Sequence, residues 1–232
     1  MVVDNASRDG SSDAIVVAFP EVRLIRSPAN LGYAGGVNAA AAVADGDALL
    51  VLNSDARLCP GAVARLLRCL EHHPRAALVG PALKYPDGRP QASAFRFPGL
   101  LQFALDLYPI PRLMETALNG RIWSSTAVRI DYPLGACMLI RRAAWDDVGP
   151  LDDGYFMYME EIDWCKRARA RGWEIWHEPA AVAVHHAGSS TRQQPRAMHA
   201  QLWRSRLRYS SRFHTPVHNR LMGALVRTRI NI

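Results

Sequence analysis

The sequence predicts an α/β fold: a mostly parallel central sheet flanked by helices. Three observations carry this. Short apolar runs of strand length alternate with amphipathic or Ala-rich runs of helix length, the pattern of strands joined by crossover helices. One run, Ala48-Leu49-Leu50-Val51-Leu52, is apolar throughout, as expected of a strand buried on both faces. Finally, 232 residues with 49% apolar and 21% charged side chains are enough for one large core and exclude a disordered chain.

The elements follow in order. Val2-Val3 is a short strand ending at Asp4, and Gly10 closes the turn after it. Residues 11–19 suit a helix capped by Ser11 or Ser12. Residues 22–26 alternate like a strand. Asn30 to Gly36 is a Gly-rich turn opening an Ala-rich helix over 37–44. After the 48–52 strand, Pro60 starts an amphipathic helix that runs to Leu70, since proline is tolerated in a first turn. Residues 76–83 form a strand, and Pro86-Asp87-Gly88 a turn. Residues 91–129 have no clear period. A strand at 135–141 follows, then an aromatic loop at 151–159, and a helix from Glu160 to Arg171 closed by Gly172. Residues 173–176 and 181–184 are short strands, and 196–212 is a basic helix. The expected division is one domain over 1–195 and a basic helical tail over 196–232.

Charge and thiols narrow the class. Nine of the 28 basic residues are arginines after Thr191, where no acid occurs, so the rest of the chain holds 19 cations against 21 acids. A basic tail suits phosphate, lipid headgroups or nucleic acid, and equally a solvated Arg-rich helix. No run approaches the ~18–20 apolar residues of a membrane span, and no signal-peptide pattern opens the chain. Cys59, Cys69, Cys137 and Cys165 form no CxxC and no zinc spacing; they read as reduced thiols of a cytoplasmic protein.

Four places could carry chemistry. Asn53-Ser54-Asp55 ends an apolar strand; such an acid can hold Mg²⁺ or Mn²⁺ against a diphosphate, and the same triplet also makes an ordinary turn. Tyr155-Phe-Met-Tyr-Met-Glu160-Glu161-Ile-Asp163 sets three carboxylates beside an aromatic run, where burial can raise a pKa and make a base. Acids in a first helical turn also simply complement the helix dipole. His185-His186 after a strand offers a metal ligand or a polar strand end. Gly35-Gly36 admits close backbone approach to a phosphate, or helix packing.

Taken together and in order, these segments resemble the family 2 inverting glycosyltransferases of GT-A fold, in particular the bacterial rhamnosyltransferase-like branch. The segments are Val2-Val-Asp-Asn-Ala-Ser-Arg-Asp-Gly-Ser11, Asn30-Leu-Gly-Tyr-Ala-Gly-Gly-Val-Asn38, Leu52-Asn-Ser-Asp55, Gly135-Ala-Cys-Met-Leu-Ile-Arg-Arg142, Phe156-Met-Tyr-Met-Glu-Glu-Ile-Asp163 and His185-His-Ala-Gly-Ser-Ser190. The resemblance implies transfer of a sugar, a deoxyhexose such as rhamnose being one candidate, from a nucleoside-diphosphate donor to a glycan or lipid-linked acceptor in cell-envelope polysaccharide synthesis. It implies that Asp4 contacts the nucleotide base. It sets Asp55 and His185 at a Mg²⁺ or Mn²⁺ ion, and Gly36, Asn38, Asn53 and Glu160 among the substrate-binding residues. Glu161 would be the general base, with Asp163 beside it as the second catalytic carboxylate. Asn53 departs from the family's first motif Asp, and Glu161 stands where Asp is commoner. The chain also opens at the family's second strand, so an N-terminally truncated GT-A fold with an exposed pairing edge is expected.

Two other classes compete. A non-catalytic relic would use the Arg-rich tail to bind lipid or, with less support, nucleic acid. A sugar-phosphate nucleotidyltransferase would open with a Gly-rich, Arg-containing loop, which the sequence lacks. The tail's Leu202, Trp203, Leu207, Tyr209 and Phe213, interleaved with arginines, are expected on the inner face of the membrane.

Overall fold

The computed structural model describes residues 1–110, 112, 119–187 and 195–228. The elements are β1 (Val2–Asp4), α1 (Ser11–Ala18), β2 (Leu24–Arg26), α2 (Gly32–Ala41), β3 (Ala48–Leu52), β4 (Ala56–Leu58), α3 (Ala62–His72), β5 (Ala76–Lys84), β6 (Pro90–Gln91), β7 (Ala94–Phe95) and α4 (Leu100–Leu107). They continue with β8 (Val128–Ile130), β9 (Tyr132–Pro133), β10 (Cys137–Arg141), α5 (Arg142–Val148), α6 (Glu160–Ala170), β11 (Glu174–His185), α7 (Pro195–Phe213) and α8 (Pro216–Arg227).

The main sheet has the order β3-β10-β5-β11-β4, with β6 paired to β5 and β8 to β11. It is mixed rather than mostly parallel. The strands that run the same way, β3, β5 and β11, are each preceded by a helix (α2, α3 and α6) long enough to carry the chain back across the sheet. Strands entered through a short link run the other way. The chain reverses at Asn53-Ser54-Asp55 so that β4 lies antiparallel on β11, and β10 follows β9 closely and lies antiparallel between β3 and β5.

The expectation of a fully buried β3 is also corrected. Leu49 is buried, but Leu50 is 38% and Leu52 40% exposed, because β3 is the outer strand of the sheet. Among the described residues β1 pairs only with β2, in parallel, as a separate two-stranded sheet.

Alternation along β10 divides the core. Leu139 faces Ala62, Leu66, Cys69 and Leu70 of α3, one stripe at helical spacing. Met138 and Ile140 face the other layer, with Trp145 of α5 and Ile162, Trp164 and Cys165 of α6. Trp203 and Tyr209 of α7 and Met222 and Val226 of α8 belong to that same cluster. The C-terminal helices are therefore part of the core layer, not a detached tail.

Candidate functional site

Two strand ends build the first half of the site. Asn53 N–H donates to Ala136 O at 3.0 Å, which ties the turn after β3 to the entry of β10. The register of β4 on β11 sets His185 opposite Ala56, and His186 N–H donates to Asp55 O at 3.0 Å. His185 Nδ1 lies 3.1 Å from Gln91 Oε1; with the ring proton on Nδ1, Nε2 would offer its lone pair to a metal. That Nε2 faces Asp55 Oδ1 at 3.3 Å. Burial lowers the His185 pKa and keeps the ring neutral. Asn53 Oδ1 is buried without a partner. A lone pair, a carboxylate and an orphaned amide oxygen fit a divalent cation that takes its remaining ligands from phosphate. Among the described residues no third Cys, His, Asp or Glu joins them. Of the last resembling segment, Gly188-Ser189-Ser190 lies outside the described residues.

The end of β1 and the Gly-rich turn form the second part. Asp4 is half-buried, and hydrogen bonds from Ser7, side chain and backbone, hold its carboxyl below the usual range. Asn5 Nδ2 donates to Gly32 O at 2.8 Å and Asn5 Oδ1 accepts from Leu31 N–H at 2.8 Å, which pins the turn to β1. Gly32 is required: its φ is +71°, and a Cβ there would meet Phe156 O at 2.1 Å. Tyr33 N–H donates to that same carbonyl at 2.9 Å. The turn thus packs on the aromatic loop, and α2 begins at Gly32 rather than at Val37.

Gly36 and Asn38, expected among the substrate-binding residues, both lie on α2. Gly36 lies inside α2, where a Cβ would sit 3.8 Å from Asn5 Nδ2. Asn38 Nδ2 donates to Leu151 O at 2.9 Å and its Oδ1 accepts from Leu151 N–H at 3.0 Å, so both ends of the amide clamp the aromatic loop.

The acidic helix start completes the site. Tyr158 and Met159 have φ of +70° and +73°, a left-handed step that costs of order 1–2 kcal/mol per residue. This turn buries Glu160 and sets Glu161 half-buried beside it. Burial first, then the Glu161 charge, raises Glu160 well above the carboxylate range. Burial pushes Glu161 up to about 7. Each has a buried Oε2 without a hydrogen-bond partner. The Glu161 carboxyl packs on Gly135, where a Cβ would stand 3.6 Å from its Cδ, and Tyr33 OH donates to Gly135 O at 2.5 Å.

Asp163 differs. It is fully buried, takes Arg167 Nε at 2.7 Å, Tyr155 OH at 3.3 Å and Arg212 Nη1 at 2.9 Å, and so has no free face. Its oxygens are held by Arg167, Arg212 and Tyr155 in this structure.

Glu161 also lines a cavity of about 140 Å³ walled by Phe95, Phe103, Tyr132, Tyr158 and Leu202, with Asp106 and Arg206 among its polar lining residues. α7 forms part of that wall. Ser205 Oγ donates to Met157 O at 2.8 Å, Arg208 Nη2 bonds both Asp152 oxygens at 3.0 Å, and Arg212 pairs with Asp152 and Asp163. Trp203 and Tyr209, expected on lipid, are 1% and 0% exposed. These two aromatics face the core, while Arg206 reaches Asp106 of α4 and Arg208 and Arg212 reach Asp152 of the aromatic loop.

Sequence reading missed Asn5, Tyr33, Gln91, Asp106 and Arg206. Asn5 stood inside a motif already singled out. Tyr33 likewise stood in the Gly-rich segment and Arg206 in the Arg-rich helix, whereas Gln91 and Asp106 lie in a stretch with no clear period and reach the site through long-range packing.

Comparison with known proteins agrees with this geometry. The family model described as Glycosyl transferase family 2 matches residues 1–149. The chain is 32% identical to an N-acetylglucosaminyl-diphospho-decaprenol L-rhamnosyltransferase of Mycobacterium tuberculosis, over 96% of this chain and 82% of that protein. It is 27% identical to a low-salt glycan biosynthesis hexosyltransferase of Haloferax volcanii, over 80% of this chain and 58% of that protein. Its fold matches a Pyrobaculum calidifontis mannosyltransferase solved with GDP-Man and Mn²⁺, with TM-score 0.60 and 15% identity, over 99% of this chain and 66% of that one. It also matches GalNAc-T7 solved with UDP, GalNAc and Mn²⁺, with TM-score 0.59 and 14% identity, over 79% of this chain and 36% of that one. With that fold, that family match and that mycobacterial relative, the chain belongs to glycosyl transferase family 2 and is a GT-A-fold glycosyltransferase.

Proposed function

We propose that the protein moves L-rhamnose from a nucleoside-diphosphate donor to a hydroxyl of a lipid-linked glycan acceptor, with inversion, in one displacement. Glu161 carries the reading. Its carboxylate has a buried, unpaired oxygen and a pKa near 7, and is set between a cavity and the backbone that anchors the Asn53–Asp55 turn. An inverting transfer needs one base on the acceptor side and no covalent nucleophile. Glu161 takes the hydroxyl proton as the acceptor oxygen bonds the anomeric carbon and the bond from that carbon to the diphosphate oxygen breaks. Glu160, held protonated by burial, keeps a second negative charge away from the base. Asp163 acts by position, locking the helix start to Arg167 and Arg212.

Asp55 and His185, with Asn53 beside them, would hold Mg²⁺ or Mn²⁺, which when bound supplies positive charge against the leaving diphosphate. Asp4 and the loop after it would take the nucleotide base. The name of the mycobacterial relative supports rhamnose, a diphospho-lipid acceptor and a role in cell-envelope glycan synthesis. A position on the cytoplasmic side of the membrane fits such an acceptor. No helix among the described residues is long and apolar enough to cross a membrane. On α8, exposed Val217, Arg220, Leu221 and Ala224 share one face, and Arg227 lies nearby; this face would rest on anionic lipid.

The test is a transfer assay with Mn²⁺, a panel of nucleoside-diphosphate L-rhamnose donors and N-acetylglucosaminyl-diphospho-farnesol. The reading expects a rhamnosyl product by mass spectrometry with one donor. No product, together with no nucleotide binding for any donor, would overturn it.

A further inference from the structure

The cavity beside Glu161 holds a feature that base catalysis does not require. Arg206 Nη2 bonds Asp106 Oδ2 at 2.6 Å, and both side chains are mostly buried, at 14% and 22% exposure. The guanidinium lies over the Trp203 ring at 4.5 Å and the Phe103 ring at 5.5 Å, which fixes its plane. Its Nε is buried with no acceptor. The rest of the lining is largely apolar and aromatic, with the Glu161 carboxyl and the Gln102 amide as further polar groups. A buried ion pair in such a wall is weak evidence for stability, since apolar side chains of similar volume would serve the fold as well or better. Pockets of this composition use a few fixed polar groups to orient a ligand.

We propose that Asp106 and Arg206 form the acceptor-specificity element of this transferase, reading the sugar ring that enters the cavity beside Glu161 and selecting an uncharged one. The inference rests on the transferase reading for the identity of the ligand as acceptor. The pair has no net charge, and among the described lining residues Arg206 is the one cation, so an anionic ring in the cavity would meet the Asp106 and Glu161 carboxylates with no unpaired cation in the lining; Arg121 acts on Asp106 from outside that lining. A neutral ring meets guanidinium N–H donors of Arg206 and carboxylate acceptors at Asp106. That pattern complements a vicinal diol or an acetamido group, whose donor and acceptor lie side by side. The aromatic walls take the apolar faces of the ring. The cavity, at about 140 Å³, is large enough to admit a sugar ring.

Direct binding without donor separates this inference from the transferase reading. Saturation-transfer NMR with the methyl glycosides of glucose, N-acetylglucosamine and glucuronic acid should detect the two neutral sugars on the wild-type chain and not the glucuronide. Asp106→Asn leaves the guanidinium uncompensated, so binding of the neutral sugars should weaken tenfold or more and glucuronide binding should appear. A gain of that kind does not follow from structural damage. Asp106→Asn with Arg206→Gln removes both charges together and guards against misfolding of the single variant; it should weaken neutral sugars without gaining the glucuronide. Equal binding of all three sugars by the wild type, binding of none, or neutral-sugar affinity unchanged in both variants would overturn the proposal. Failure of the transferase reading would instead appear as absent transfer with sugar binding intact.

Discussion

Glu161→Gln should nearly abolish turnover and at the same time stabilise the fold above neutral pH. The two effects have one cause. Burial raises the Glu161 carboxyl from an ordinary value of 4.5 to about 7 in the folded chain. The folded state then binds the proton more tightly than the unfolded state, so stability is highest below pH 4.5 and falls as pH rises toward 7. At 1.36 kcal/mol per pKa unit, the loss approaches roughly 3 kcal/mol by pH 8. Gln keeps the shape without the charge and recovers most of it. Urea unfolding at pH 8 should move up by about 1 M, taking a slope near 3 kcal/mol per M, and the gain should vanish near pH 5. Turnover should drop ~10²–10⁴-fold with nucleotide affinity unchanged, while wild-type activity should rise with pH through about 7 as the base ionises. A variant that unfolds earlier than wild type at pH 8 would refute the reasoning, because it would make Glu161 a structural anchor.

Three further outcomes follow. Asp55→Ala should abolish Mn²⁺-dependent nucleoside-diphosphate binding in calorimetry with circular dichroism unchanged; equal affinity with and without metal in both proteins would reject the ion site. Gly32→Ala forces a left-handed Ala and a Cβ 2.1 Å from Phe156 O, so melting should fall by roughly 4–10 °C for about 2–3 kcal/mol; an unchanged melting temperature would deny the contact between turn and aromatic loop. Leu221→Glu should reduce flotation with anionic liposomes while Trp203 fluorescence stays that of a buried ring; flotation indifferent to Leu221 and to anionic lipid would reject the α8 face.

Much of the fold was legible where the signal is local. The apolar runs of β3 and β5, the amphipathic stripe of α3, Gly172 after α6 and the basic helix α7 all declare themselves within a few residues. Strand direction was legible for strands that follow a helix and not for those that follow a turn. Residues 91–129 stayed opaque because β6 to β9 are two or three residues long and their partners are remote, as in Ala94 opposite Pro133. β11 read as two strands since Pro179 breaks its pattern, yet the irregularity between Glu178 and Val182 keeps one strand paired along β5. In the candidate site, Asp55, His185 and Glu161 were singled out from strand ends and an acidic helix start, and the structure sets them at those element ends. The closing of Arg212 of α7 on Asp163 and of Leu151 on both ends of the Asn38 amide was not legible, because each partner is remote in the chain. Composition marked the arginines of α7 as free charge, whereas Arg206, Arg208 and Arg212 each have an acid.

The configuration of the newly formed glycosidic bond tests the central claim most directly. Proton NMR of the product of the nucleoside-diphosphate rhamnose and N-acetylglucosaminyl-diphospho-farnesol reaction reads it from the anomeric signal. Direct attack by a hydroxyl deprotonated at Glu161 gives one anomer, inverted relative to the donor. A product that retains the donor configuration would contradict the account, since it requires a covalent intermediate or a frontside path in which Glu161 is not the base.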